Sequence, residues 1–256
     1  MMAHLLEAAN VVEMFGGLKA ISDFNIYLDP GEMVGLIGPN GAGKTTAFNL
    51  FTGVYQPTRG TITFDGRSIV GLKPYEITQR GVARTFQNIR LFSELSVLDN
   101  VRIAFHDHVK YGVAEAVLRV GRYFSEEARV TAESRELLSI FKLADQAEET
   151  AKNLPYGAQR RLEIARALAA KPKLLLLDEP AAGMNPQETQ ELMAMIRWIR
   201  GQFDLTVLLI EHDMSLVMGI CERIYVLEYG QIIAQGTPEE IRRDPEVIRA
   251  YLGGEA

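Results

Sequence analysis

The chain has 256 residues, of which 47% are hydrophobic and 23% are charged, a composition typical of soluble globular proteins. Its 33 acidic and 27 basic side chains give a formal net charge of −6, which argues against a general nucleic-acid-binding function. The single Cys221 excludes an internal disulfide and a cysteine-cluster metal site. No apolar run approaches the roughly 18 residues that a membrane-spanning helix needs.

Strand patterns alternate with helix patterns in the first third of the chain. Apolar or alternating runs bounded by glycines predict five strands, at 11–15, 24–29, 33–37, 60–66 and 81–87. The first two are expected to form an N-terminal antiparallel element. A helix is predicted from Lys44 to about Thr52, closed by Gly53.

Residues from about 88 to 156 carry charged, helical patterns, and we interpret them as an inserted helical subdomain. Helices are expected over 113–120 and 134–147. Near-continuous apolar runs at 174–178 and 205–211 then favour parallel strands covered on both faces.

The C-terminal part is predicted to close the sheet. The expected elements are a crossover helix over 188–200, hairpin strands over 224–230 and 231–236, and a helical tail over 238–252. Residues 1–256 are thus predicted to form one α/β domain with an N-terminal antiparallel β subdomain and an inserted helical subdomain.

The strongest motif is Gly38-Pro-Asn-Gly-Ala-Gly-Lys44-Thr45, which matches the P-loop pattern G-x-x-x-x-G-K-[ST]. A predicted strand precedes it and a predicted helix follows, which defines a P-loop NTPase core. The glycines allow backbone N–H groups to face phosphate oxygens. The Lys44 ammonium is suited to binding the β- and γ-phosphates, and the Thr45 hydroxyl is suited to binding Mg²⁺. The alternative, a glycine-rich turn with an incidental lysine, does not explain this context.

Polar residues follow the predicted strands. Asp178 is suited to holding Mg²⁺ and Glu179 to orienting a water molecule, although a strand end with solvated acids is the alternative. His212 follows the next strand, and Gln87 closes another predicted strand. Ligands of open α/β sheets bind at the carboxyl ends of strands, so we expect Lys44, Glu179 and His212 at one edge. Gln87 is expected to reach the same metal and water.

The segment NLPYGAQRRLEIARAL at 153–168 makes a family resemblance specific. The order is P-loop, Gln87, this segment with Gly157, Asp178 and then His212. In this order and spacing the motifs resemble those of ABC-transporter ATPase subunits, over essentially the whole chain.

The resemblance implies roles for individual residues. Phe15 matches the A-loop aromatic that stacks on adenine, Gln87 the Q-loop, Asp178 the Walker B aspartate and His212 the switch histidine. The implied ATP-binding residues are Phe15, Gly38, Pro39, Asn40, Gly41, Ala42, Gly43, Lys44, Thr45 and Thr46, with Gly157 acting on the opposite subunit. The implied metal-binding residues are Thr45, Gln87 and Asp178, and the implied catalytic residues are Glu179, His212 and Gln87.

Two positions depart from the family pattern. The signature, usually Leu-Ser-Gly-Gly-Gln, reads LPYGA at 154–158, so Pro155 replaces the serine that touches the γ-phosphate in trans. The Gly157 amide and the start of the following helix are expected to face phosphate instead. Asn185 replaces the aspartate of the D-loop, residues 181–186.

Arg160 and Arg161 are expected on a solvated or interface face of the helix.

Several segments together are similar to the LivG-type ATPases of branched-chain amino acid importers: PYGAQRRLEIARAL, DEPAAGMNP, RTFQNIRLFSELSVLDNV and DPEVIRAYLG. The resemblance implies ATP and Mg²⁺ as cofactors and a second ATPase subunit, the same chain or a paralogue, as partner. It also implies an integral membrane permease, contacted through residues 91–98, indirectly a solute-binding protein, and a peripheral location on the cytoplasmic face of the membrane. No nucleic-acid partner is expected.

Three alternatives remain at this point. ATPases of lipopolysaccharide export or urea import share the same motifs. A soluble ABC ATPase that works without a permease is the third, although such proteins often carry two cassettes or long coiled-coil insertions, and this chain has one set of motifs and a short insertion.

Overall fold

The computed structural model describes residues 4–252. The strands are β1 (Leu6–Phe15), β2 (Leu18–Leu28), β3 (Met33–Ile37), β4 (Arg59–Phe64), β5 (Arg67–Ser68), β6 (Val82–Arg84), β7 (Leu174–Asp178), β8 (Thr206–Ile210), β9 (Arg223–Glu228) and β10 (Gln231–Gly236). The α-helices are α1 (Lys44–Phe51), α2 (Pro74–Gln79), α3 (Val97–Ala104), α4 (Val113–Leu118), α5 (Tyr123–Ile140), α6 (Tyr156–Ala169), α7 (Pro186–Phe203), α8 (Met214–Ile220), α9 (Pro238–Arg243) and α10 (Pro245–Leu252).

Two compact units make up the described chain. The core unit consists of residues 4–84 and 173–252, and the helical unit consists of residues 85–172. Both sheets lie in the core unit. Within residues 4–252 no helix is both long and apolar enough to cross a bilayer.

The antiparallel sheet of the core unit has the strand order β2-β1-β4-β5. Leu6 and Ala8 are buried on one face of β1, as expected for a sheet covered on one side. The register with β2 shifts between Ala8 and Val11, where Asn10 has a φ of +50°. This irregularity interrupts the alternation, which explains why the sequence pattern predicted only the second half of β1.

The second sheet has the order β10-β9-β3-β8-β7-β6, with all neighbouring strands parallel except β10 and β9. Every residue of β3, β7 and β8 is buried, which matches their continuous apolar sequences. The predicted α/β fold, with an antiparallel N-terminal sheet and a parallel core sheet, is confirmed. The carboxyl ends of β3, β7 and β8 lie at one edge of the parallel sheet.

The predicted strand 81–87 is shorter in the structure, because β6 ends at Arg84. It pairs with β7 over three residues only. Beyond it, the backbone of Phe86 and Gln87 bonds to side chains of α6. The prediction that Gln87 closes a strand is therefore wrong.

Helix boundaries in the helical unit also differ from the sequence pattern. The predicted helix 113–120 ends at Leu118, since Arg119 takes a left-handed φ of +51°. The predicted helix 134–147 starts earlier and ends earlier, as α5. Phe141 and Leu143 are buried although they lie beyond the end of α5, on either side of Lys142, which has a φ of +56°.

The C-terminal helical tail is divided into α9 and α10 at Asp244. Asp244 has an extended ψ of 120°, because the ring of Pro245 disfavours a helical conformation in the residue before it. The Asp244 carboxylate then accepts hydrogen bonds from the N–H groups of Glu246 and Val247, which start α10.

Candidate functional site

The P-loop connects β3 to α1, and two of its glycines are required by its geometry. Gly38 has a φ of +151°, and a Cβ there would lie 2.0 Å from the carbonyl oxygen of Leu227. Gly43 has a φ of +109°, and its Cβ would lie 2.9 Å from the carbonyl oxygen of Ala20. Side chains at these positions would push the loop away from β9 and β2, so the glycines set the loop's path.

Lys44 is the first residue of α1, and its side chain folds back over the loop. Its Nζ donates hydrogen bonds to the carbonyl oxygens of Gly38 at 2.6 Å and Pro39 at 3.0 Å. Burial lowers the pKa of Lys44, while the negative charges of Glu179 and Asp178 oppose that shift. The ammonium therefore shares one electrostatic environment with both acids.

The acidic pair follows β7. Asp178 is buried, and its Oδ2 accepts a hydrogen bond from Nη2 of Arg84 at 2.8 Å. Glu179 has a left-handed φ of +46°, and its N–H donates to the carbonyl oxygen of Ile210. A non-glycine residue in this region costs of the order of 1–3 kcal/mol and is found mainly where the surrounding structure holds it for a purpose.

His212 lies next to this pair at the end of β8. Its Nδ1 is 3.9 Å from Oε2 of Glu179, and its ring is 65% exposed, whereas the Glu179 side chain is 19% exposed. An exposed imidazole beside a largely enclosed carboxylate is suited to orienting that carboxylate or a water molecule between solvent and site. The structure thus brings Lys44, Asp178, Glu179 and His212 to one sheet edge.

Glu211 is a site residue that the sequence analysis missed. It is 1% exposed, and burial raises the pKa of its carboxyl group. Its Oε1 accepts a hydrogen bond from the N–H of Ala181 at 3.0 Å, and its Oε2 accepts one from the N–H of His212 at 3.3 Å. Glu211 therefore links the D-loop to the histidine. The available signal was a lone acid ending the apolar run LTVLLIE.

Phe15 and the two threonines belong to different elements, β1 and α1. Phe15 ends β1, is 42% exposed, and forms an edge-on ring pair with Tyr55 with centroids 5.0 Å apart. Thr45 and Thr46 lie in the first turn of α1, Thr45 exposed and Thr46 half-buried. Phe15 and Thr45 are both accessible to a ligand.

The donor set fits Mg²⁺. The Thr45 hydroxyl and the Asp178 carboxylate are the hard oxygen ligands that this ion prefers, and Mg²⁺ usually takes its other ligands from water and phosphate. Among residues 4–252 no three His, Cys, Asp or Glu side chains are grouped to hold a metal by themselves.

Gln87 belongs to the helical unit, where a buried ion pair of α6 holds its segment. Arg160 donates to the carbonyl oxygens of Phe86 at 2.7 Å and Gln87 at 2.8 Å, and to Glu163 at 2.8 Å. Glu163 accepts hydrogen bonds from the N–H groups of Phe86 and Arg90. Arg160 is 0% exposed, so the expectation of a solvated or interface position is wrong for this residue. The role of Gln87 at the metal stays a prediction.

The signature segment forms the start of α6. Pro155 is its N-cap residue and is exposed, as is Tyr156, whereas Gly157 and Ala158 are buried. The carbonyl oxygen of Pro155 accepts hydrogen bonds from the N–H groups of Ala158 and Gln159. The change to proline is thus compatible with a regular helix start, because the first helical turn has no use for that N–H.

Asn185 of the D-loop is the N-cap of α7. Its side chain accepts a hydrogen bond from the N–H of Glu188 at 2.9 Å, and the Glu188 carboxylate accepts one from the N–H of Asn185 at 3.0 Å. This reciprocal capping box gives the residue a structural role that asparagine fills as well as aspartate.

This fold and site define an ATP-binding cassette. A family model described as "ABC transporter" matches residues 21–182, and the chain belongs to the ABC transporter family. A second model, "Branched-chain amino acid ATP-binding cassette transporter", matches residues 231–256. Within the family the chain is of the LivG/BraF type.

The relatives support this assignment. The chain is 48% identical over 249 residues to the high-affinity branched-chain amino acid transport ATP-binding protein LivG of Escherichia coli K12, covering 97% of this chain and 98% of LivG. Identity to BraF of Pseudomonas aeruginosa is 45%, with the same coverage. The lipopolysaccharide export protein LptB of Haemophilus influenzae is 35% identical over 97% of each chain.

Solved structures agree with the fold. The crystal structure of the ADP conformation of MJ1267, an ATP-binding cassette of an ABC transporter, superposes with a TM-score of 0.84 at 29% identity. It covers 98% of this chain and 100% of that one. A nucleotide-free cassette gives a TM-score of 0.83 at 30% identity, covering 97% and 99%.

Proposed function

We propose that this chain is the ATP-hydrolysing subunit of an importer for branched-chain amino acids. The observation that carries the ATPase activity is the convergence of Lys44, Asp178, Glu179 and His212 at the carboxyl edge of the parallel sheet. The substrate class follows from the names of the LivG and BraF relatives and from the family match at the C-terminal end.

The nucleotide is bound by residues of the core unit. Phe15 stacks on the adenine, and the backbone N–H groups of 38–46 surround the phosphates. Lys44 supplies positive charge to the β- and γ-phosphates. Mg²⁺, when bound, neutralises phosphate charge, and Thr45 and Asp178 of the core unit would hold it.

Hydrolysis then requires a positioned water and a proton acceptor. Glu179 accepts the proton of the attacking water, because its carboxylate is mostly enclosed and its backbone is fixed by the hydrogen bond to Ile210. His212 orients Glu179 from the solvent side, and Glu211 fixes the backbone of His212. Because phosphoryl transfer needs mainly positioning and charge, these groups are the contribution of one subunit to the chemistry.

The working unit is a head-to-tail pair of such subunits, formed by two copies or by this chain and a paralogue. Gly157 of one subunit faces the ATP bound to the P-loop of the other. Residues 91–98 contact an integral membrane permease on the cytoplasmic face of the membrane, and the permease receives solute from a binding protein. ATP closes the pair, and hydrolysis reopens it.

Lipopolysaccharide export is the second candidate, favoured by the LptB relative. Higher identity to LivG and the C-terminal family match favour amino acid import. The test is uptake of radiolabelled leucine into proteoliposomes that contain this chain together with the permease that co-purifies with it and the matching binding protein. ATP-dependent leucine uptake supports the proposal. ATP-dependent extraction of a lipid-linked saccharide, without leucine uptake, would favour lipopolysaccharide export over amino acid import.

A further inference from the structure

Arg84, the last residue of β6, bonds directly to the aspartate of the site. Its Nη2 donates to Oδ2 of Asp178 at 2.8 Å, and its Nη1 donates to Oδ1 of Asn49 at 2.7 Å. The guanidinium carbon lies 5.3 Å from the centre of the Phe48 ring. The side chains of Arg84 and Asp178 are 6% and 5% exposed, so the ion pair is almost entirely buried.

Asn49 and Phe48 belong to α1, the helix that begins with Lys44 and Thr45. The guanidinium therefore joins the end of β7 to the helix of the P-loop. A buried carboxylate needs a nearby cation, because the interior solvates an isolated charge poorly. Lys44 contributes attraction, but its ammonium donates to the carbonyl oxygens of Gly38 and Pro39.

We propose that Arg84 is a positioning residue for Asp178 and that its guanidinium is the permanent counter-cation of this carboxylate. The guanidinium thereby lowers the attraction of the Asp178 carboxylate for a free divalent cation. The inference rests on the proposed function, because it takes Asp178 as a ligand of Mg²⁺. Two cations that share one carboxylate repel each other, so the guanidinium opposes the metal. Asp178 then binds the metal effectively only when phosphate oxygens supply further negative charge, and the ion enters together with the nucleotide.

The test measures how strongly Mg²⁺ tightens nucleotide binding. The affinity of the purified chain for a fluorescent ADP analogue is measured in excess Mg²⁺ and in EDTA. The Mg²⁺ ratio is the dissociation constant in EDTA divided by the dissociation constant in Mg²⁺, and it is compared between variants. In Arg84→Gln the ratio rises by about tenfold or more, since a repulsive charge close to a divalent ion is removed. Arg84→Lys, which keeps the charge, stays close to the parent ratio.

A second readout needs no nucleotide. Binding of Mn²⁺ alone, followed by electron paramagnetic resonance, becomes several-fold tighter in Arg84→Gln than in the parent. Neither measurement depends on hydrolysis, so loss of turnover cannot imitate the effect.

Arg223 supplies a matched control in the core unit. Its guanidinium pairs with Glu32 at 2.6 Å, and the two side chains are 14% and 16% exposed. Arg223→Gln should lower the melting temperature as Arg84→Gln does, but leave the Mg²⁺ ratio unchanged. A rise of the ratio in both variants would show a general stability effect and overturn the proposal.

An unchanged or lower ratio in folded Arg84→Gln also overturns the proposal. If that variant does not fold, Asn49→Ala serves as the test, because it removes the hydrogen bond between the Arg84 guanidinium and α1. This variant should raise the ratio by a smaller factor. An unchanged ratio in Asn49→Ala rejects the inference. A parent chain whose nucleotide affinity ignores Mg²⁺ would instead contradict the metal role of Asp178 in the proposed function.

Discussion

Glu179 is held in a strained backbone conformation directly after a buried strand, with its carboxylate mostly enclosed and next to His212. Its neighbour Asp178 is paired with Arg84, and Lys44 is tied to the P-loop carbonyl oxygens. At the scale of single residues, each charge of the site thus has a specific partner. Replacement of one group is expected to affect one step of the reaction.

Glu179→Gln should bind ATP nearly as well as the parent and hydrolyse it at least about a hundredfold more slowly, because the amide keeps the shape but cannot accept a proton. ATPase rate and equilibrium nucleotide binding are measured on the same preparations. Glu7→Gln, an exposed change on β1, serves as the control and should be neutral. Turnover of Glu179→Gln near the parent rate would refute the proposed role.

Glu211 makes stability depend on pH. Burial raises its pKa in the folded chain above the ordinary glutamate value of 4.5, so the folded state favours the protonated form. Its contribution to stability is present below pH 4.5 and is lost as the pH rises through the raised pKa. Urea unfolding between pH 4.5 and 8 should show a smaller decline of stability with pH in Glu211→Gln than in the parent. Identical pH profiles would contradict this assignment.

At the scale of elements, the helical unit is organised by side chains that reach from α6 to the chain around Gln87. Arg160 and Glu163 together bind two carbonyl oxygens and two N–H groups of residues 86–90. This backbone segment has irregular structure, and its conformation is therefore set by α6, the helix that also begins with the signature. A movement of α6 is expected to move the Q-loop with it.

Arg160→Met should destabilise the protein by about 3–5 kcal/mol, because it leaves the buried Glu163 carboxylate without its cation. Arg160→Met combined with Glu163→Leu should recover a large part of that loss. Urea unfolding of the single and double variants gives the free energies. Arg161, the adjacent and partly exposed arginine, is the control, and Arg161→Met should cost far less.

Hydrogen exchange checks the link to the Q-loop. In Arg160→Met, amides in the segment 86–90 should exchange faster than in Arg161→Met, even after correction for the difference in global stability. Equal protection of this segment in both variants would show that α6 does not set its conformation.

At the scale of the whole molecule, the proposed function requires a site composed of two segments that lie on different units of the chain. The P-loop lies in the core unit and the signature in the helical unit. Since Pro155 has neither a side-chain hydroxyl nor an N–H, contact with the γ-phosphate of a partner's ATP depends on backbone groups near Gly157 and on the start of α6.

Gly157→Asp should therefore abolish ATP-driven pairing, while Pro155→Ser should be neutral or strengthen it. The aspartate adds negative charge, and a side chain at a buried position, where phosphate is expected to approach. ATPase rate is measured against protein concentration, with and without the permease. Normal hydrolysis and transport by Gly157→Asp would overturn the composite-site proposal.

The sequence by itself determined the parts of this protein that depend on short, contiguous patterns. The P-loop is one such pattern, because phosphate binding needs glycines, a lysine and a hydroxyl within eight successive residues. The buried strands β3, β7 and β8 are another, because a strand covered on both faces must be apolar throughout. These patterns predicted the fold class and the sheet edge at which Lys44 and Glu179 meet.

The tertiary structure alone decided which charges are buried together. Arg84 and Asp178 are 94 positions apart, and Arg160 lies 73 positions from the Gln87 carbonyl group that it binds. An arginine looks the same in sequence whether it is solvated or buried, since its cost of desolvation depends on partners brought by distant segments. For the same reason the sequence predicted only that Glu211 ends an apolar strand. It could not show that Glu211 joins the D-loop to His212.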